Sequence, residues 1–522
     1  MPVHLKALLV IVVLATFAFA FARFGACSSA MAADDFGRRR KLWFFITITA
    51  FLAHNYWIFA ILAAGALLYV GREESNKLAM FFFLLFAVPM YEAEIGGLGV
   101  VKQLFTLDYS RLLALIVLLP ALINIMRQPN AQPFGRSHTD KFLAGHIILN
   151  FALLLLVNTF TNSLRQGVFY AFVDIFLPYY VASRSIRSVH AFRDVLMSFA
   201  VAAMVLSAIA AFEFAKHWLL YVNLDEALGT KGFGGYLMRG DGVLRAQAST
   251  GQPIVLGYVV TVAAGFFWFL RSSMSRLAWG FGMAVLLVGI LVPVSRGPWV
   301  GAVAIFLVVV VSGPSPVKRL VKVGLAGTIA AAAILATPGG EKLVDYLPFI
   351  GTVDKENVTF RQGLLNSALD VVIQNPFFGA FDYIHAAEFE ELKQGNGFLD
   401  LVNTYVVIAL GSGLVGLALF SGIFVTALAS VYGAMRQVKD GSEESHQLGQ
   451  VLLAVLIGVL VTILTVSSVS YISVIYWSLA GLCTAYARIV ALAGTPAEAG
   501  ETGSTKPKER ENYRTVAACP TV

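Results

Sequence analysis

Charged residues are scarce in this sequence. Only 13% of the 522 residues are Asp, Glu, Lys or Arg and 58% are hydrophobic, whereas an average soluble domain carries roughly 25% charged residues. Uncharged apolar runs of about 17–25 residues, the length that a membrane-crossing helix requires, recur along the chain. These runs do not alternate apolar and polar residues as the strands of a transmembrane β-barrel would. The composition predicts an all-α polytopic integral membrane protein with about 12–15 transmembrane helices.

Cysteine is also scarce. The three cysteines, Cys27, Cys483 and Cys519, lie far apart in the chain and match no spacing typical of a metal centre or a disulfide. The net charge of +7 mostly reflects basic loop residues, which set the orientation of membrane proteins. It therefore gives no indication of nucleic-acid binding.

The first 71 residues leave two points open. The apolar run at residues 5–22 precedes small residues, as in a signal peptide, but Lys6 is the only basic residue near its start and further spans follow. We therefore favour a retained helix. Residues 42–70 fit either one long helix or a tight pair of helices broken at "AHNYW".

Basic residues indicate the orientation of the chain, because short cytoplasmic loops are rich in Lys and Arg. From residue 72 onward the basic clusters fall on alternate loops, so one threading places all of them in the cytoplasm, together with Arg38–Lys41. That threading leaves two long hydrophilic segments outside, 217–251 and 338–400. Loops of this length are usually functional.

This threading predicts four regions. An N-terminal transmembrane bundle at 1–337 precedes a large outer loop at 338–400. C-terminal transmembrane helices follow at 401–489. The tail at 490–522 is rich in Gly, Ser, Thr, Pro and charge, which predicts a disordered cytoplasmic segment.

Three of the arginines on the predicted outer side, where basic residues are unusual, stand out because their context is apolar. Arg245 comes just before a span, Arg296 lies in the hairpin "VPVSRGPWVGA", and Arg361 opens the amphipathic stretch "TFRQGLLNSALDVVIQ". The Gly297–Pro298 pair fits a tight turn, and Pro298 suits the first turn of the next helix.

These arginines have two interpretations. Each side chain could extend to the membrane interface or pair with a carboxylate. Alternatively, several guanidinium groups could converge on an anion, because arginine stays charged and binds phosphate through a planar fork of donors. An enzyme acting on a lipid-linked pyrophosphate needs such cations, since negative charge grows on the leaving group as its bond to sugar breaks.

Four segments, in this order, resemble the O-antigen ligase / O-antigen polymerase superfamily. "LRAQASTGQPIVLGYVV" is similar to its arginine-containing segment, and "VSRGPWVGAVAIFL" to its serine-arginine-glycine hairpin. "FRQGLLNSALDVVIQNPFFGAF" resembles the arginine-led outer-loop helix closed by an Asn-Pro-x-x-Gly element. "NGFLDLVNTYVVIALGSGLVGLALF" resembles the segment that enters the next span. The segments cover residues 239–420, whereas the N-terminal half matches only in hydropathy.

The resemblance implies a multi-pass glycosyltransferase of the bacterial inner (cytoplasmic) membrane that needs neither a cofactor nor a metal. Such proteins transfer a glycan from undecaprenyl pyrophosphate to another lipid-linked glycan, in polymerases, or to lipid A-core, in ligases. Arg245 and Arg296 would hold the pyrophosphate, and Arg361 would bind the donor or orient the loop. Membrane lipids and other polysaccharide assembly proteins are the remaining expected partners.

One departure from the family concerns the general base. Its ligases carry a histidine-asparagine pair where the chain leaves the outer loop, but neither Asn396 nor Asn403 follows a histidine here. Asp400 is the nearest carboxylate and is the predicted base, the alternative being a helix N-cap. His385 is the nearest histidine, either as the base or as an exposed loop residue. The departure favours a polymerase, or a divergent exopolysaccharide branch of the family, over a ligase.

Further side chains have weaker interpretations. Gln252, Asn403 and Tyr405 could hydrogen-bond sugar hydroxyls, or could serve helix capping and packing. Asp174 and Glu213 lie within predicted spans, where an ionisable residue indicates a partner or a cavity.

A flippase or other transporter of lipid-linked oligosaccharide would also need arginines facing its cargo. Transporters, however, often place broken helices near mid-membrane in two related halves. Here the arginines are predicted to lie at one face, and two of the three, Arg296 and Arg361, are in the second half of the chain.

Overall fold

The computed structural model of the chain describes residues 2–97, 99, 103–129, 131–230, 235–238, 242–313, 315–335, 355–392, 401–438 and 443–494. It is 77% helical, and within those ranges the only paired strands form one short antiparallel ribbon. The elements of the first part are α1 (Val3–Ser29), α2 (Ala33–Leu52), α3 (Tyr56–Gly71), α4 (Lys77–Leu84), β1 (Ala93–Gly96), β2 (Gln103–Leu107), α5 (Tyr109–Leu113), α6 (Leu119–Met126), α7 (His138–Val157), α8 (Phe160–Leu164), α9 (Leu177–Ser185) and α10 (Val189–Lys216).

The second part begins with one short helix and continues with long ones. Its helices are α11 (Leu224–Leu228), α12 (Pro253–Phe269), α13 (Arg276–Leu291), α14 (Arg296–Val311), α15 (Pro316–Leu335), α16 (Lys355–Gln374), α17 (Thr404–Gln437), α18 (Glu443–Thr462) and α19 (Tyr471–Gly494). Two π-helical segments, Ala114–Leu118 and Arg165–Phe176, join α5 to α6 and α8 to α9. Asp174 lies in the second of these segments, and its carboxylate pairs with Arg111 at 3.0 Å.

Eight of the described helical stretches are long and apolar enough to cross a membrane. The apolar helices α3, α13 and α14 are shorter. The chain is therefore an all-α, multi-pass membrane protein, as its composition predicted. The total of about 12–15 crossing helices stays a prediction.

The centre of the bundle is α10, which is buried on all sides between α1, α4, α12 and α13. Its Phe199 ring contacts the rings of Phe82, Phe86 and Phe266 edge to face. A helix that is apolar all round is stable only when it is surrounded. This explains why α10 lies in the middle of the molecule.

The two questions that the sequence left open for the first 71 residues both concern helices that pack into this bundle. In α1, residues spaced three or four apart, from Ala7 to Ala26, are buried against α2 and α10, as a retained helix would be. The "AHNYW" stretch separates two helices, since α2 ends at Leu52 and α3 begins at Tyr56. Asn55 caps α3 by accepting hydrogen bonds from Trp57 N and Ile58 N, a common way to begin a helix.

The basic cluster Arg38–Lys41 was predicted to be cytoplasmic loop sequence, but it lies inside α2, which begins at Ala33. Arg39 is fully buried and its guanidinium pairs with Glu74 at 2.7 Å and Asp194 at 2.6 Å. Such a charge is tolerated inside a protein only with close partners. This network borders a cavity of about 440 Å³ whose lining also includes Arg187. The buried Arg184–Asp140 pair lies in the same region.

Candidate functional site

The first arginine segment, residues 245–251, is held in place by the buried carboxylate of Glu213 near the end of α10. Glu213 Oε2 accepts hydrogen bonds from Gln247 N at 3.0 Å and Ala248 N at 2.8 Å, and Oε1 accepts one from Leu220 N at 3.0 Å. These bonds fix Ala248 at φ 46°, a left-handed conformation that non-glycine residues rarely adopt. Glu213 is therefore an organiser of this segment.

Two more hydrogen bonds hold the same segment, one to the bundle and one to the preceding loop. Ser249 Oγ donates to Phe86 O at 2.6 Å, and Gln247 Nε2 donates to Gly235 O at 2.8 Å. The segment then ends at Gly251, whose φ of 72° lets the chain turn into α12 at Gln252 and Pro253. Arg245 is thus carried by a rigid loop.

Arg245 reaches across to the connection between α13 and α14. Its Nη2 donates to Ser295 Oγ at 2.8 Å and its Nε donates to Pro293 O at 3.3 Å. Backbone contact supports this approach, because Ala246 N donates to Val292 O at 3.4 Å. Ser295 directly precedes Arg296 in the chain, so Arg245 contacts the residue next to a second arginine. We call the segments 245–251 and 292–299 together the arginine turn, and this side of the bundle the Arg296 end.

The turn itself lies earlier than the sequence predicted. It occupies Val292–Ser295, whereas Gly297 and Pro298 lie in the first turn of α14, which begins at Arg296. Val294 has φ 47°, which is strained for a β-branched residue and typical of positions that the surrounding structure over-determines. Trp299 Nε1 donates to Ile290 O at 2.8 Å and so joins the two helices.

The N-terminus of α14 contributes positive potential to the arginine turn. Ser295 is the N-cap residue, but its side chain makes no capping hydrogen bond and accepts from Arg245 instead. The N–H groups of a first helical turn have no acceptors within the helix and carry about half a positive charge. The first turn of α14 is therefore the electropositive end of that helix.

Small residues allow the helices around Arg296 to approach closely. A Cβ on Gly257 of α12 would lie 2.9 Å from Pro298 Cγ. Cβ atoms on Gly297 and Gly301 would lie 2.4 Å and 2.0 Å from the hydroxyls of Thr465 and Thr462. Glycines four positions apart permit such close contact between membrane helices. They place the Arg296 end of α14 between α12 and the end of α18.

The exit of the large loop reaches the same place. Thr404, the first residue of α17, donates from its backbone N to Ile463 O at 3.0 Å and from Oγ1 to Val466 O at 2.7 Å. Val466 also lies against Gly297, next to Arg296. The start of α17 and the arginine turn therefore flank one short connection after α18.

A backbone clasp joins the described part of the large loop to α17. At Gly413, with φ 65° and ψ −169°, the helix is broken, and the turn after α16 fits into the break. Leu414 N donates to Pro376 O at 2.8 Å, Val415 N donates to Phe377 O at 3.2 Å, and Ala380 N donates to Leu410 O at 2.7 Å. The clasp satisfies backbone groups that a break inside an apolar helix would otherwise leave unpaired.

Comparison with known families identifies this part of the chain. Residues 281–421 match the family model described as O-Antigen ligase. The resemblance to the O-antigen ligase family is confirmed. The matched segment includes residues 292–299 of the arginine turn, α16 and the clasp. No match to a curated protein was found.

At a coarse level, this match supports a membrane enzyme of polysaccharide assembly with O-antigen ligase-type, glycosyltransferase-like activity. Lipid-linked glycans and membrane lipids are the corresponding partners. Arg245 lies before the matched residues, so its place beside the O-antigen ligase segment comes from the fold alone.

The structure gives several of the predicted binding residues local partners. Asn403 Oδ1 accepts from Tyr405 N and Val406 N and so caps α17, and Tyr405 OH donates to Leu460 O at 3.2 Å. Gln252 occupies the N-cap position of α12, half-buried beside the arginine turn. His385 is exposed, with Nε2 3.6 Å from Asp382 Oδ1.

Two predicted site residues cannot be placed by their side chains. Asp400 lies outside the described residues, and only the backbone of Arg361, within α16, is described. In the described part of the chain no group of three or more His, Cys, Asp and Glu side chains could hold a metal ion.

Proposed function

We propose that the chain is a glycosyltransferase that uses an undecaprenyl-pyrophosphate-linked glycan on the periplasmic side of the bacterial inner membrane. The observation that carries this proposal is the contact of Arg245 with Ser295 at 2.8 Å, directly before Arg296. It brings two permanent cations and a helix N-terminus to one turn. A diphosphate carries the charge and the acceptor oxygens that such a site would bind.

In the proposed reaction, an acceptor hydroxyl oxygen attacks the anomeric carbon of the donor glycan. The bond from that carbon to the pyrophosphate oxygen breaks, and the electron pair leaves with the lipid pyrophosphate. Arg245 and Arg296 stabilise the charge that grows on this leaving group, since cations fixed in advance need no reorganisation during the reaction. The hydroxyl proton passes to a base.

We assign the base role to Asp400 and a donor-binding or loop-orienting role to Arg361. Asn403, three residues after Asp400, caps α17. The next residue, Thr404, begins the helix and contacts the connection beside Gly297. Arg361 is in the same turn of α16 as Leu364, which packs in one core with Leu401. Both assignments therefore concern chain segments that the fold draws toward the Arg296 end.

We favour a polymerase, with a second lipid-linked glycan as acceptor, over a ligase acting on lipid A-core. Support comes from the sequence at the end of the large loop. There Val402 precedes Asn403, so the histidine of the ligases is missing. The four regions 1–337, 338–400, 401–489 and 490–522 remain our proposed organisation of the chain. The last of these lies mostly outside the described residues, since α19 ends at Gly494.

A deletion strain complemented with the wild-type gene or with Asp400→Ala tests this function, with the surface glycan separated by size. We expect wild type to restore long chains and Asp400→Ala to leave single repeats on an otherwise normal acceptor. Finished polymer stranded on the lipid carrier would indicate a ligase instead. Repeats facing the cytoplasm would indicate a flippase and would contradict the proposal.

A further inference from the structure

The helix α16 packs on the rest of the large loop by only part of its apolar surface. Leu364, Ala368 and Val371 are buried and form a small core with Phe389 and Leu401. A row of polar residues spaced four apart, Gln362, Asn366, Asp370 and Gln374, is exposed. One side of the helix thus faces protein and another faces water.

Between these two sides runs an exposed apolar stripe. Leu365, Leu369 and Ile373 of α16, followed by Phe377, are spaced four apart and lie along one line of the helix surface. Each of them is between 44% and 73% exposed, and the neighbouring Phe378 is 55% exposed. A continuous exposed apolar surface of this kind marks an interaction site for protein or membrane.

The clasp indicates which partner covers the stripe. Through it, Pro376 and Phe377 bond to the backbone of Leu414 and Val415, and both of these residues belong to α17, one of the candidate membrane spans. Leu414 is itself half exposed, and Val425 further along α17 is also exposed. The end of the stripe is therefore joined to a candidate membrane-crossing helix, whose own exposed apolar side chains would face hydrocarbon.

We propose that α16 lies in the membrane interface at the Arg296 end, with the Leu365–Phe377 stripe in contact with phospholipid acyl chains. An amphipathic helix with separate apolar and polar faces binds a bilayer in this orientation. The polar row then faces the headgroups and water, and the Leu364 side stays on the loop core. This inference does not depend on the proposed chemistry, and it assigns a membrane-bound position to a segment whose sequence suggested an aqueous loop.

Photo-crosslinking in the full-length protein tests this inference. Benzoylphenylalanine is introduced singly at Leu369, Ile373 or Phe377 on the stripe, and at Asn366 or Asp370 on the polar row as matched controls. All five side chains are exposed, so each variant is expected to fold. The purified proteins are reconstituted in phosphatidylethanolamine–phosphatidylglycerol vesicles and irradiated, and the adducts are identified by intact mass.

We expect phospholipid adducts on the stripe in at least about fivefold higher yield than on the polar row. Equal yields at the two sets of positions would overturn the inference. Crosslinks from the stripe to a second copy of the chain, or the absence of adducts there, would overturn it as well. Loss of glycan transfer by Asp400→Ala bears only on the proposed function, so the two can fail separately.

Discussion

Arg296→Ala is expected to lower the rate of glycan transfer by about 100- to 1,000-fold, because it removes a cation aimed at the charge that grows on the leaving pyrophosphate. Arg296→Lys keeps the charge but loses the planar fork of donors, so we expect an intermediate rate. The measurement is transfer by purified protein in vesicles that contain a polyprenyl-pyrophosphate-linked repeat unit. Arg245→Ala should give a loss of similar size.

The chain offers a matched control for this experiment. Arg276 is also the first residue of a helix and also follows a serine N-cap, at the start of α13 rather than α14. It is exposed, and the arginine turn lies at the opposite end of α13. Arg276→Ala should therefore transfer at the wild-type rate. Equal losses in Arg276→Ala and Arg296→Ala would mean that the effect is not specific to the arginine turn.

Gly413→Ala is expected to separate the large loop from α17 and to destabilise the protein by at least about 3 kcal/mol. Its φ is 65°, and an added Cβ would lie 2.2 Å from Phe377 O. That oxygen belongs to the backbone of the clasp, so it cannot rotate away as a side chain would. We expect the unfolding midpoint in detergent to fall by at least about 5 °C.

Gly411→Ala is the control for this prediction. Gly411 lies two positions away in the same helix, and its added Cβ would come no closer than 3.9 Å to Tyr383 Cε1. We expect an unchanged or slightly higher midpoint, because alanine favours helix over glycine. A midpoint for Gly413→Ala equal to that of Gly411→Ala would show that the clasp does not form.

The sequence predicted the class of fold well, because membrane helices leave a strong signal in composition alone. It also marked Arg245 and Arg296 from their position on the side where basic residues are unusual. It placed Arg38–Lys41 in a loop rather than a helix, however, since hydropathy shows that a charge is costly in a helix but not that Glu74 and Asp194 will pair with Arg39. The partners come from distant positions that no local pattern connects.

Other parts of the site depend on contacts between distant residues, which cannot be read from the sequence alone. Glu213 could be noted as an ionisable residue in a span, but its hydrogen bonds to the backbone of Gln247 and Ala248 appear only in the fold. The same is true of Thr465 against Gly297, since a threonine near a helix end is common. The Asn-Pro-x-x-Gly element could be recognised in the sequence. Its backbone hydrogen bonds to the break in α17 at Gly413 appear only in the fold.

The most direct test of the account is the affinity of the purified protein for undecaprenyl pyrophosphate compared with undecaprenyl monophosphate. If Arg245 and Arg296 grip one diphosphate, wild type and Arg276→Ala should prefer the pyrophosphate by at least about tenfold, and both Arg245→Ala and Arg296→Ala should lose that preference. Equal affinity of the wild type for the two lipids, or an undiminished preference in Arg296→Ala, would contradict the account.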